Sequence, residues 1–210
     1  MELLDIHTHH IPTMPGTALY CLNEGEQLPA GQLCSAGIHP WNVTQDYLRQ
    51  CEWAREAAAA SDVLAIGEIG LDRYRGPDID LQIAAFRHQI AISEELGKPV
   101  ILHVVKENGL LLSVRKELKP SMPWLLHGFR GSPQLALQLL AHGIMVSFGE
   151  HFNPDTLSAV GADCLLIETD EALDVNEILN RTAACLNVSP ASLRRAAALN
   201  AQRFLNIELH

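Results

Sequence analysis

Six residues far apart in the chain carry the donor atoms that divalent cations favour: His7, His9, Glu68, His103, His127 and Asp170. The densest signal is Asp5-Ile6-His7-Thr8-His9, at the end of the first apolar run. Residues two apart on an extended segment face the same side, so His7 and His9 can present two imidazoles to one ion. An isolated pair of this kind is as readily solvated as ligated, and repetition is what gives it meaning. Glu68 follows Leu64-Ala65-Ile66-Gly67, His103 follows Val100-Ile101-Leu102, His127 follows Trp124-Leu125-Leu126, and Asp170 follows Leu165-Leu166-Ile167-Glu168-Thr169. Charged and imidazole groups beside such runs are costly unless paired or coordinated. Four histidines and two carboxylates with no thiolate suit Zn²⁺, Mn²⁺, Mg²⁺, Fe²⁺ or Co²⁺. They exceed the needs of one open catalytic ion. They match two ions about 3.5–4 Å apart that share a carboxylate and clamp the attacking and leaving oxygens of a displacement.

Something must bring these positions together. Short runs rich in Val, Ile and Leu alternate with stretches of helical period, the pattern of βαβ units on a parallel sheet. Strands are predicted at 3–6, 18–22, 33–38, 63–66, 100–102, 124–126, 144–148 and 164–167. Ser132-Pro133 opens a helix that Gly143 closes, and Ser189-Pro190 opens the last one. Ile79, Ile83, Phe86 and Ile90 line one face of another helix, which Gly97-Lys98-Pro99 stops. A further helix is read over 51–60, outside the barrel. Pro12, Pro15, Gly16, Gly25, Pro29 and Gly31 leave no room for a full helix in the first crossover, which is predicted as loop. In parallel barrels the carboxyl ends of separate strands converge on one site, and the six candidates fall at such ends. The expectation is one α/β domain over 1–210: a distorted, TIM-like (β/α)8 barrel of seven to eight parallel strands with trimmed helices. An open doubly wound sheet is the alternative.

Composition narrows the function classes. A formal charge of −10 argues against a broad face for duplex nucleic acid, which rests on neutralising many phosphates. A polyanionic substrate has to be held locally. No apolar run nears the roughly 18 residues of a spanning helix, and the start lacks signal-type features, so the cytoplasm is expected. Cys21, Cys34, Cys51, Cys164 and Cys185 are odd in number and never form a C-x-x-C motif; they are read as buried reduced thiols.

The same residues resemble a known family. The segments Asp5-Ile6-His7-Thr8-His9, Gly37-Ile38-His39-Pro40-Trp41, Ile66-Gly67-Glu68-Ile69-Gly70-Leu71-Asp72, Pro99-Val100-Ile101-Leu102-His103, His127-Gly128-Phe129-Arg130-Gly131-Ser132 and Leu166-Ile167-Glu168-Thr169-Asp170 are similar, in order, to the signatures of TatD-type metal-dependent deoxyribonucleases of the amidohydrolase superfamily. Asn200-Ala201-Gln202-Arg203-Phe204-Leu205 resembles the family's closing helix. The resemblance implies a distorted barrel with two divalent ions: His7, His9 and Asp170 on one, His103 and His127 on the other, Glu68 between them, and His39 behind the ligands or on substrate phosphate. Two departures stand out. The family usually has arginine two positions after the ligand corresponding to His103, where this chain has Val105 and then Lys106. It usually has Ala-Pro and a long loop after Asp170, where Glu171-Ala172-Leu173-Asp174 leads quickly into a helix, so the substrate rim is expected to be reduced.

The chemistry expected is hydrolysis of a phosphodiester, DNA or a small one, with Asp170 orienting and deprotonating the water and Glu68 bridging the cations. His39, Arg73, Lys106 and Arg130 are the candidate substrate contacts, with Arg75 beside Arg73 and Trp41 able to stack a base or simply pack. His10, His88, His142, His151 and His210 receive no role. Two other readings keep the metal: cleavage of a small amide, lactone or phosphate ester, or a metal-binding scaffold without turnover. The barrel of the polymerase-and-histidinol-phosphatase type also opens with His-x-His, but it does not account for the Gly37-to-Pro40 and Gly67-to-Gly70 segments.

Overall fold

The computed structural model describes residues 2–207; His210 lies outside them. Eight strands in chain order form a closed barrel: β1 (Asp5–Thr8), β2 (Ala18–Leu22), β3 (Leu33–Ala36), β4 (Val63–Asp72), β5 (Val100–Val105), β6 (Trp124–Leu126), β7 (Ile144–Phe148) and β8 (Leu165–Ile167). The helices are α1 (Tyr47–Ala58), α2 (Ile79–Leu96), α3 (Asn108–Leu118), α4 (Pro133–Ala141), α5 (Pro154–Val160), α6 (Val175–Leu186) and α7 (Pro190–Leu205). None is long and apolar enough to cross a membrane.

Two compact units make up the chain: Met1–Tyr20 with Leu125–His210, and Cys21–Trp124. In the first, β1 pairs in parallel with β2 and β8, and β8 with β7. The buried side chains of Leu165, Leu166 and Ile167, with Phe148, Leu139, Leu193 and Phe204, form its core. Every residue of β8 is buried, as expected where a parallel strand is covered on both faces. In the second unit β4 pairs with β3 and β5. There Phe86 and Ile90 of α2 are buried with Ile66, Ile69 and Val100, and Phe86 meets Trp124 edge to face at 5.6 Å.

Local chemistry sets the boundaries. Ser132 and Ser189 accept from Leu135 N and Ser192 N to cap α4 and α7, each with proline in the first turn. Gly97 ends α2 in the left-handed conformation. No helix intervenes between β1 and β2 or between β2 and β3, in line with the broken composition there.

Some expectations need correcting. β4 continues through Glu68 to Asp72 and β5 through His103 to Val105, so these donors sit within strands and not after them. The apolar pattern stops early because the inward side chains there are polar. Gly70 lets the two strands close up: at φ 150°, a Cβ there would lie 1.9 Å from the His103 carbonyl oxygen. All five cysteines are free, but only Cys21, Cys34 and Cys51 are buried; Cys164 is exposed and Cys185 intermediate.

Candidate metal centres

The first donor set belongs to the unit formed by the chain's two ends. β1 supplies His7 and is followed by His9, His127 comes just after β6, and Asp170 follows β8. His7 is fully buried, and its ring centroid is 4.9 Å from that of His9 and 4.5 Å from that of His127. Asp170 Oδ1 lies 3.6 Å from His9 Nε2 and 3.9 Å from His7 Nε2. Main-chain pairing fixes this arrangement: His9 N donates to Asp170 O at 3.0 Å, and Asp170 N to His7 O at 3.0 Å. Beneath it, Asp5 accepts from Thr169 N at 2.9 Å and from Thr169 Oγ1 at 2.6 Å. Burial pushes the Asp5 carboxyl up to about 7, against the opposing pull of those hydrogen bonds.

Glu168 completes this set from below. It is wholly buried; Ser147 Oγ donates to its Oε2 at 2.5 Å, and its Oε1 is 3.4 Å from His127 Nδ1. Burial alone raises its pKa, but the charge and hydrogen bond of His127, with His7 and Ser147, hold it below the ordinary carboxylate value. With a cation bound, a neutral His127 would donate Nδ1–H to the ionised Glu168 and offer its Nε2 lone pair to the metal. Carboxylates commonly orient ligand histidines in this way.

A second set lies in the other unit. Glu68 is buried, and its Oε1 is 2.8 Å from His103 Nδ1 and 3.2 Å from His39 Nε2. On the far side of His103, Nε2 is 3.3 Å from Asp72 Oδ2, which also accepts the Trp41 indole N–H at 2.6 Å. Burial pushes Asp72 up, but bonds from Trp41, the Tyr74 amide and His103 win and hold it below the usual carboxylate value. With Nε2–H donating to Asp72, His103 would offer Nδ1 beside the Glu68 oxygen, a nitrogen and oxygen pair of the kind that suits a divalent cation. His39 is different: its Nδ1 accepts from Trp41 N at 3.2 Å, so the neutral ring offers Nε2–H to Glu68 and steadies that carboxylate.

Two carboxamides on α2 anchor this second set. Gln89 Oε1 accepts from Ile38 N at 2.7 Å and its Nε2 donates to Ile38 O at 3.3 Å, next to His39. Gln82 Oε1 accepts from Asp72 N at 2.8 Å, while its Nε2 donates to the carbonyls of Asp72, Arg75 and Pro77. Both are 1% exposed, and seven positions apart they share a face of the helix.

The structure therefore gathers His7, His9, His127 and Asp170 in one set and Glu68 and His103, with His39, in the other. His127 stands with His7 and Asp170. Among the candidate substrate contacts, Arg73 is engaged with Glu107 at 2.7 Å. Lys106 is exposed just past β5. Arg130 lines a cavity of about 180 Å³ with Gly128, Gly149, His151, Glu168 and Asp170. Arg75 covers the Trp41 ring at 4.5 Å. Asp72, Glu168, Gln82 and Gln89 went unassigned from the sequence. Parity was the available signal for the acids, since Asp72 is four residues from Glu68 and Glu168 two from Asp170.

Fold and donor sets define a (β/α) barrel with candidate metal centres toward the carboxyl ends of its strands. The chain belongs to the family described as TatD related DNase, which matches residues 7–206. It is 36% identical over 146 residues to "Uncharacterized metal-dependent hydrolase YcfH" of Escherichia coli K12, a match covering 65% of this chain and 54% of that protein. The chain thus spans about half the length of the YcfH proteins it matches. It is 28% identical over 205 residues to "3'-5' ssDNA/RNA exonuclease TatD" of Erwinia tasmaniensis, covering 82% of this chain and 78% of that one. The crystal structure of YJJV, a TatD homologue from Escherichia coli K12, shares the fold with a TM-score of 0.78 at 21% identity, over 98% of each chain.

Proposed function

We propose that residues 1–210 act as one divalent-metal-dependent hydrolase domain that cleaves phosphodiester bonds in single-stranded DNA, RNA or a small phosphodiester. The observation that carries this reading is the pair of partly buried histidine–carboxylate sets, each with a second carboxylate (Glu168 or Asp72) beside a histidine. In this reading His7, His9, His127 and Asp170 would hold one ion, and His103 and Glu68 the other. Bound cations supply an acidified water, with a pKa of about 7, and stabilise charge on the phosphoryl oxygens.

The chain's own residues do the rest. Asp170, 28% exposed at its side chain, orients the attacking water and takes its proton. His39 holds Glu68 in place. Arg130, on the cavity beside Asp170, and Lys106, past β5, attract the substrate's phosphates, while Trp41 offers an aromatic edge beside His103. With a net charge of −10, this grip extends over few phosphates, which favours a strand end over a duplex. A reducing compartment, the cytoplasm, is the proposed place of the reaction, which the five free thiols support.

The test joins composition to activity. Purified protein is analysed for metal, then assayed on a single-stranded oligonucleotide, a phosphomonoester and a lactone before and after chelation. Bound metal with chelator-sensitive, cation-restored cleavage of the oligonucleotide is expected. Phosphodiesterase activity indifferent to chelation refutes the reading, and faster turnover of the lactone moves the enzyme to a different bond.

A further inference from the structure

Glu171 directly follows Asp170, where the resembling family usually has alanine, a residue with no donor. Its ligand atom and those of His9 and Asp170 all lie within 4.8 Å of one another. The residue is held from behind: His10 Nε2 is 3.1 Å from the Glu171 carbonyl oxygen and 3.9 Å from Oε2. The turn that aims it is closed by Ala172 N donating to Thr169 O at 2.8 Å. Its side chain is 76% exposed and borders the cavity that Asp170 lines. Exposed glutamates are common. This one shares its space with an imidazole and a carboxylate from two different strand ends.

We infer that Glu171 is an additional ligand to the cation held by His9 and Asp170, and that it tilts this site toward Mn²⁺ relative to Zn²⁺. The inference rests on the metal-centre reading above. The three imidazoles and one carboxylate of this set already satisfy zinc, which is content with four donors. Manganese and magnesium favour more donors, with oxygen among them. A second carboxylate supplies an oxygen and a negative charge where those ions gain most. His10, which the sequence left without a role, becomes the residue that steadies Glu171.

The experiment uses metal-free full-length protein titrated calorimetrically with MnCl₂ and, separately, ZnCl₂, for wild type, E171A and E171Q. Loss of the ligand is expected to weaken Mn²⁺ binding about tenfold or more, the scale on which supporting carboxylates act on metal affinity. Zn²⁺ binding should move by less than about threefold, E171Q should fall between wild type and E171A for Mn²⁺, and the melting temperatures of the chelated proteins should coincide. A Mn²⁺ isotherm for E171A that overlays wild type overturns the inference, as does an equal loss for both metals. Wild-type protein that takes up neither ion defeats the metal-centre reading itself.

Discussion

The two donor sets are built by different means. The first is assembled by strands: reciprocal main-chain bonds join His7 and His9 to Asp170, and the Asp5–Thr169 pair lies in the same two segments. The second is assembled by a helix: Gln82 and Gln89 reach from α2 to fix the backbone beside Asp72 and His39. Main-chain pairing survives most side-chain changes. Carboxamide anchoring depends on two particular residues, so the second set is the more easily disabled by mutation away from the metal.

The largest effect is expected at Glu68, the buried carboxylate of the second set. Glu68→Gln should reduce kcat by roughly 10³-fold or more, the scale for losing one preorganised charged or polar group, measured on a single-stranded oligonucleotide. Full rate with full metal content would show that Glu68 belongs to neither centre. Next come the orienting carboxylates. Glu168→Gln and Asp72→Asn should each weaken metal binding about 10–100-fold, and elemental analysis after dialysis should find each variant short of one ion. If both lose the same ion, the division into two sets is wrong.

Gln89→Leu probes the anchoring itself. It strands the amide and carbonyl of Ile38, at a cost of about 1–3 kcal/mol readable in urea unfolding. It should also lower occupancy of the second centre while sparing the first. A stability loss with both ions retained would reduce Gln89 to a packing residue. The smallest effect belongs to the substrate contacts: Lys106→Ala should raise KM several-fold with little change in kcat, about 1 kcal/mol for one exposed charge.

How much of this was legible follows from periodicity. The eight strands were readable because parallel strands buried on both faces are unbroken apolar runs, as Trp124-Leu125-Leu126 and Leu165-Leu166-Ile167 are. The six candidate ligands stood out because each interrupts or ends such a run. β4 was cut short for the same reason in reverse, since its second half alternates buried acids with apolar residues. Gln82 and Gln89 gave no signal of function, because a carboxamide within a helix sequence looks like surface until its partner segments are known. Placing His127 beside His7 and Asp170 needed coordinates, as distance along the chain says nothing of which strand ends adjoin.

The first donor set draws on residues from both extremes of the sequence, and the second is complete by His103. On a ribosome, where chains emerge at roughly 5–20 residues per second, His7 and His9 are made well before β8, and Asp170 can join them only after it. The second set has all its parts far sooner. During synthesis the pairing of β1 with β8 is therefore the later of the two assemblies to become possible.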